Sequence, residues 1–117
     1  MSAPQGSVRQ QTLLWVAQRA SAAVLALCVA VHLATLIYAV RGGLSAAEIL
    51  ARTHANVVWL VFYTVFVLAA AVHVPIGLRP VLAEWAGWRG RSSDAALLGF
   101  AMLITWMGLR AVAAVFA

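Results

Sequence analysis

Residues 55–78 read ANVVWLVFYTVFVLAAAVHVPIGL, 24 residues without a formal charge. A helix needs about 20 apolar residues to cross roughly 30 Å of hydrocarbon. Backbone groups in lipid must be satisfied within the segment, so this stretch predicts a membrane-spanning helix. Working outward, residues 20–40 are 21 further uncharged residues, and residues 95–117 are 23 with a single charge, Arg110. No segment alternates with the repeat of a barrel strand. The expected fold is therefore all-α: an integral membrane protein with three transmembrane helices, at about 11–40, 55–79 and 94–117, in one anchor domain spanning residues 1–117.

Composition excludes the main alternatives. Of 117 residues, 65% are hydrophobic and 9% charged, against roughly 25% charged in a soluble domain. The polar surface is too small for a soluble enzyme. A net charge of +5 does not make a nucleic-acid-binding module either, because all eight basic residues are Arg scattered between apolar runs. Cys28 is the single cysteine, which rules out a disulfide framework and a CxxC metal site. The first run is too long for a signal-peptide core and follows about a dozen mostly polar residues, so it reads as a retained helix.

Between the runs, Ser45 with Glu48 three residues later forms a capping-box pattern that predicts a short surface helix over 45–52. Pro75 is expected to kink the second long helix and Pro80 to end it. Arg9, Arg19, Arg79, Arg89 and Arg91 fall on one side of the membrane, and Arg41 and Arg52 on the other with Arg110 near it. That imbalance predicts a multi-pass protein of the inner (cytoplasmic) membrane with its N-terminus in the cytoplasm. Trp15 is expected at headgroup depth, and His54 at the interface.

Two histidines, His32 and His73, lie deep inside apolar runs. Ionisable groups at such depth are costly and often functional. One reading is hydrogen bonding between helices. The sharper one is axial ligation of haem iron by a neutral imidazole. Small residues surround both: Ala69, Ala70, Ala71 and Gly77 near His73, and Ser21, Cys28 and Thr35 on the helical face of His32. With Arg19 and Arg79 at one boundary, His32 lies about 20 Å deep and His73 about 9 Å deep at 1.5 Å per residue. A difference of roughly 10 Å suggests two haems, each sharing its iron with another chain. Arg19, Gln18, Ser21 and Arg79 would face a haem propionate or a quinone oxygen, or the arginines simply snorkel. Glu84, five residues after Arg79, would pair with an arginine or hand on protons.

The segment from His73 to Glu84, HVPIGLRPVLAE, resembles the helix II signature of the succinate dehydrogenase cytochrome b subunit: His, three residues, Gly, Ile or Leu, Arg, His, three residues, Asp. Residues 18–22, QRASA, resemble that family's His-Arg-x-Ser-Gly at the start of helix I. Gln18, Ala22, Pro80 and Glu84 depart from the pattern. The resemblance implies that His73 ligates haem b and that Arg19 and Ser21, with Gln18 and Arg79 beside them, line a quinone site. His32 is similar to the helix I ligand of the two-haem anchors of quinol:fumarate reductases. The implied function is a membrane-anchor cytochrome b subunit of a succinate dehydrogenase or fumarate reductase complex, within a multi-helix haem-binding bundle. Its cofactors would be one or two b haems, with quinone as substrate. Its partners would be a flavoprotein subunit, an iron–sulfur subunit, and a second anchor subunit or second copy of this chain. Other readings are the haem anchor of another membrane oxidoreductase or a haem-free anchor. A small transporter is disfavoured because no Asp or Glu lies inside the runs before Asp94.

Overall fold

The computed structural model describes residues 7–117; the first six residues of the expected domain lie outside the described residues. Four helices follow in order: α1 Val8–Arg41, α2 Ala46–Thr53, α3 Val57–Trp85 and α4 Arg91–Phe116. The described residues contain no strand. Helices α1, α3 and α4 are each long and apolar enough to cross a membrane, and α2 is the short helix between the first two spans. The molecule is 61 Å long and 26 × 23 Å across.

Local chemistry accounts for the boundaries. Helix α1 starts earlier than the hydropathy suggests, because Ser7 caps it by accepting the Gln10 amide at 3.1 Å. Ser45 caps α2: its hydroxyl accepts from the Glu48 amide at 3.2 Å and donates to the Glu48 carboxylate at 3.1 Å. Asn56 caps α3 through the Val58 and Trp59 amides. Helix α3 runs through both Pro75 and Pro80 to Trp85, five residues beyond the expected stop. Each proline removes one amide donor, from Ala71 and Ile76 respectively. Their five-residue spacing leaves the turns between them closed, and transmembrane helices tolerate such gaps. Helix α3 ends where Gly87 adopts φ 63 and the Trp88 amide reaches back to the Leu82 carbonyl at 3.0 Å.

Helix α3 is the central element, with α1 on one side and α4 on the other; α1 and α4 touch each other little. Helix α2 is tied to the end of α4: the Thr53 hydroxyl donates to the Val115 carbonyl at 2.9 Å, and the Ala55 amide to the Phe116 carbonyl at 2.8 Å. These bonds hold Ala55 at φ 53, a conformation an alanine rarely adopts. Among the described apolar residues only Cys28, Leu97 and Val112 are fully buried. The rest of the apolar surface faces outward, as lipid permits.

Close approach of α4 to α3 depends on Gly108. A Cβ there would lie 2.5 Å from Cγ1 of Val67 and 3.2 Å from its Cβ. Val67 cannot rotate aside, since a β-branched side chain in a helix holds essentially one rotamer. Gly108→Ala is expected to destabilise the α3–α4 pair by about 1–3 kcal/mol, the range for overpacking. Thermal unfolding of the purified protein in detergent would show it, with Gly99→Ala, where nothing lies within 4 Å, as the neutral control.

Candidate functional site

The face of α1 that carries Ser21, Cys28, His32 and Thr35 is the face turned to α3. Ser21 and Cys28 are buried, and His32 and Thr35 half-buried. Three contacts mark an antiparallel register along this seam. Gln18 lies against Gly77, Ser21 meets His73, and His32 meets Tyr63.

At the first level, Ser21 Oγ donates to the Gln18 carbonyl at 3.1 Å and lies 3.4 Å from His73 Nδ1. A serine hydroxyl has one proton. Spending it on the carbonyl leaves Ser21 an acceptor toward His73, so the imidazole proton sits on Nδ1 and the lone pair on Nε2. An oxygen that fixes one ring nitrogen as N–H leaves the other free to ligate a metal. One turn away, a Cβ on Gly77 would meet Gln18 Nε2 at 3.0 Å. Gln18 Oε1 is buried there without a hydrogen-bond partner. Gln18, Ser21, His73 and Gly77 therefore form one polar cluster in an apolar seam, with an unused acceptor and an unused imidazole nitrogen.

The other sequence-predicted residues lie elsewhere. Arg19 is exposed, with its guanidinium 5.4 Å above the exposed Trp15 ring. Arg79 turns to α4: its Nε lies 3.1 Å from Asp94 Oδ1. Asp94, not Glu84, is the partner. The pair is half exposed, so it contributes less than about 1 kcal/mol. It nonetheless keeps Arg79 on the α3–α4 side, away from the Ser21–His73 cluster.

His32 lies at the other end of the seam. Eleven residues of α1 separate it from Ser21, about 16 Å of helix at 1.5 Å per residue, more than the roughly 10 Å expected from the run boundaries. His32 and His73 therefore cannot share one iron. No three His, Cys, Asp or Glu side chains gather at any point among the described residues. His32 Nδ1 is 3.2 Å from the Tyr63 hydroxyl, and its ring stands edge-on to Tyr63 and Phe66. Tyr63 is a polar residue that the sequence reading passed over. Its signal was a phenol inside an apolar run, but only the register pairs it with His32.

A family model described as the succinate dehydrogenase/fumarate reductase transmembrane subunit matches residues 3–111. The chain belongs to that family. No curated protein and no solved structure matches it individually. As a succinate dehydrogenase/fumarate reductase transmembrane subunit, the chain is the membrane anchor of such a complex, and its three long helices make it a multi-pass membrane protein.

The tautomer of His73 in this subunit can be read directly. Nitrogen-15 NMR of the histidine-labelled subunit alone, without bound groups, is expected to show the His73 ring with a proton on Nδ1. Ser21→Ala should shift that signal toward a mixture of tautomers, and Ser21→Thr should restore it.

Proposed function

We propose that this subunit holds haem b through His73 Nε2 and, at the same end of the bundle, contributes to a quinone site. The observation that carries this reading is the Ser21–His73 hydrogen bond, which leaves Nε2 with its lone pair while Ser21 is spent on the Gln18 carbonyl. The residues fit the group in three further respects. The ligand is a neutral imidazole, as an apolar site requires. Ala69 to Ala71 put only small side chains on the turn before it, while the space at Gly77 is taken by Gln18. This chain offers one nitrogen at that depth, so the opposite ligand comes from a second anchor subunit or a second copy of this chain.

When bound, the haem supplies one-electron carriage, with a potential set by its ligands and surroundings. What the chain itself supplies is placement. Ser21 orients the imidazole. Gln18, with a buried Oε1 that accepts no bond, can take a proton donor from a quinol hydroxyl. Arg19 offers a positive group at the boundary. The end of the bundle that carries Arg9, Arg19, Arg79, Arg89 and Arg91 faces the cytoplasm of an inner-membrane protein. The flavoprotein and iron–sulfur subunits dock there and carry the clusters, since this chain has one cysteine where clusters need several.

A second reading has a second iron on His32, and the roughly 16 Å between the two histidines along the seam leaves room for it. A haem count by pyridine haemochrome on the purified complex tests both. The expected outcome is loss of one b haem in His73→Ala with the protein still folded. No haem in the native complex, or an unchanged complement in the variant, would sink the His73 assignment. Gln18→Leu is expected to leave the haem spectrum in place and to raise the KM for quinone several-fold.

A further inference from the structure

A furrow runs along the α3–α4 pair, away from the seam that holds Ser21 and His73. Where α3 gives way to α4, a cavity of about 300 Å³ is bordered by Arg79, Ala83, Trp88, Arg89, Ser93 and Asp94. Next along the pair lies one of about 220 Å³, bordered by Pro75, Ile76, Arg79, Asp94, Leu98 and Ala101. A third, of about 690 Å³, takes in Leu68, Val72, Ala101, Met102, Thr105 and Leu109. The first two share Arg79 and Asp94, and the last two share Ala101, so the three are parts of one furrow. Its walls are single helical stripes. Leu68, Val72, Pro75, Arg79 and Ala83 on α3, and Asp94, Leu98, Ala101, Thr105 and Leu109 on α4, recur at three- and four-residue spacing. That spacing keeps each set on one helical face.

The two ends of the furrow differ in chemistry. Beyond the Arg79–Asp94 pair it is apolar, and the Thr105 hydroxyl is spent on the Ala101 carbonyl at 2.8 Å. At the Arg79 end the groups are donors with capacity left. Asp94 engages Arg79 through Nε at 3.1 Å and one terminal nitrogen at 3.4 Å. A guanidinium carries five N–H donors, so Asp94 fixes the direction of Arg79 and leaves it most of its protons. Arg89 has no carboxylate partner among the described residues. Ser93 borders the same cavity; it is 2% exposed, and its hydroxyl makes no hydrogen bond among the described residues. The first amides of α4 lie beside it. Their cap, Gly90, has no side chain to offer, and the Ser92 oxygen is taken by the Trp88 indole N–H at 2.8 Å. Two guanidiniums against one carboxylate leave net positive charge, and the start of α4 adds to it.

We propose that this furrow is a site for an anionic phospholipid, its phosphodiester held by Arg79, Arg89 and the start of α4, and one acyl chain laid between Leu68 and Leu109. A phosphodiester is the acceptor these donors call for, with one negative charge, several oxygens and no proton of its own to give. The apolar part suits the tail. From Arg79 to Leu68 is 11 residues of α3, about 16 Å of helix, against about 15 Å for one leaflet of hydrocarbon. A zwitterionic lipid brings its own cation to the two arginines and loses most of that attraction. A quinone has a tail but no charge. The site does not rest on the haem or quinone readings of the α1–α3 seam.

The test uses the purified complex in phosphatidylcholine nanodiscs and a phosphatidylglycerol carrying a photoreactive diazirine in one acyl chain, with labelled peptides mapped by mass spectrometry. Saturable label is expected on residues 68–79 and 98–109, displaced by unlabelled phosphatidylglycerol. Arg89→Gln should raise half-saturation about three- to tenfold, the effect of one arginine on an anionic headgroup. Ala101→Leu, which fills the furrow where two cavities meet, should remove the label from residues 102–109. Should either variant fail to assemble, salt decides on the wild-type complex: higher ionic strength should weaken the phosphatidylglycerol label and leave that of a matching phosphatidylcholine probe unchanged. Equal labelling by the phosphatidylcholine probe would overturn the proposal. So would a label indifferent to salt, an unaltered half-saturation in Arg89→Gln, or an unaltered pattern in Ala101→Leu. Displacement by inorganic phosphate alone would make the cavity at Arg79 an ion site, and displacement by short-chain quinone but not by phosphatidylglycerol would make the furrow a quinone site; either sinks the lipid assignment.

Discussion

The register of α1 against α3 governs this molecule. In lipid, apolar side chains gain little by leaving one hydrocarbon environment for another, so helices are aligned by close packing and by polar contacts across the seam. Here the contacts are Gln18 at Gly77, Ser21 at His73 and His32 at Tyr63. They are spread over four turns and all agree on one alignment. A slip of one residue rotates each polar side chain by about 100° and leaves several unpaired at once. The α3–α4 contact is set differently, by the absence of a side chain at Gly108 opposite Val67, and Arg79–Asp94 marks the same alignment at its exposed end.

Two histidines of the same type in equally apolar helices end up chemically distinct because their partners differ in what they have left to give. The Ser21 hydroxyl has already committed its proton to the Gln18 carbonyl, so it can only accept from His73. The Tyr63 hydroxyl makes no other hydrogen bond among the described residues and retains its proton to donate. Serine in mid-helix habitually bonds back to the preceding turn. Tyrosine, whose oxygen lies far from its own backbone, cannot. The position of the ring proton therefore traces back to side-chain length. His73 thus faces an oxygen that can only accept, and His32 one that can still donate.

Much of this was readable in the sequence. Three uncharged runs of transmembrane length give three long helices, and Ser45 with Glu48 gives the cap of α2 through both reciprocal bonds. Ser21, Cys28, His32 and Thr35 share one helical face in the sequence, and that face is the one α3 covers. What could not be read depended on pairing between helices. Pro80 is a helix breaker by its local chemistry, yet α3 continues past it for five residues to Trp85. The sequence offers Glu84 as an arginine partner on the same helix, while Arg79 pairs with Asp94 on the next helix. Tyr63 carries no signal of its own, because a phenol in an apolar run is ordinary until an imidazole stands 3.2 Å from it. Each miss is a case in which a neighbouring helix outweighed a local preference.

The arrangement also bears on why such a chain does not act alone. Helix α3 has neighbours on two sides, whereas α1 and α4 each pack mainly against α3 and leave broad apolar faces outward, including Leu27, Leu33 and Ile37 on α1 and Met102, Leu103 and Trp106 on α4. Arginines lie over aromatic rings in both halves of the bundle: Arg19 over Trp15, Arg52 over Tyr38 and Arg110 over Trp106. An arginine on an amphipathic ring is suited to the membrane boundary, so these pairs hold the bundle at a fixed depth. Depth is the property a subunit needs when its polar groups must meet those of another chain. With the seam's register fixed inside the chain and its depth fixed by the boundary pairs, His73 is presented at one level of the membrane. If, as proposed, a second chain supplies the opposite ligand, the two meet only when both chains hold their depth, and here the sequence supplies the means to do so.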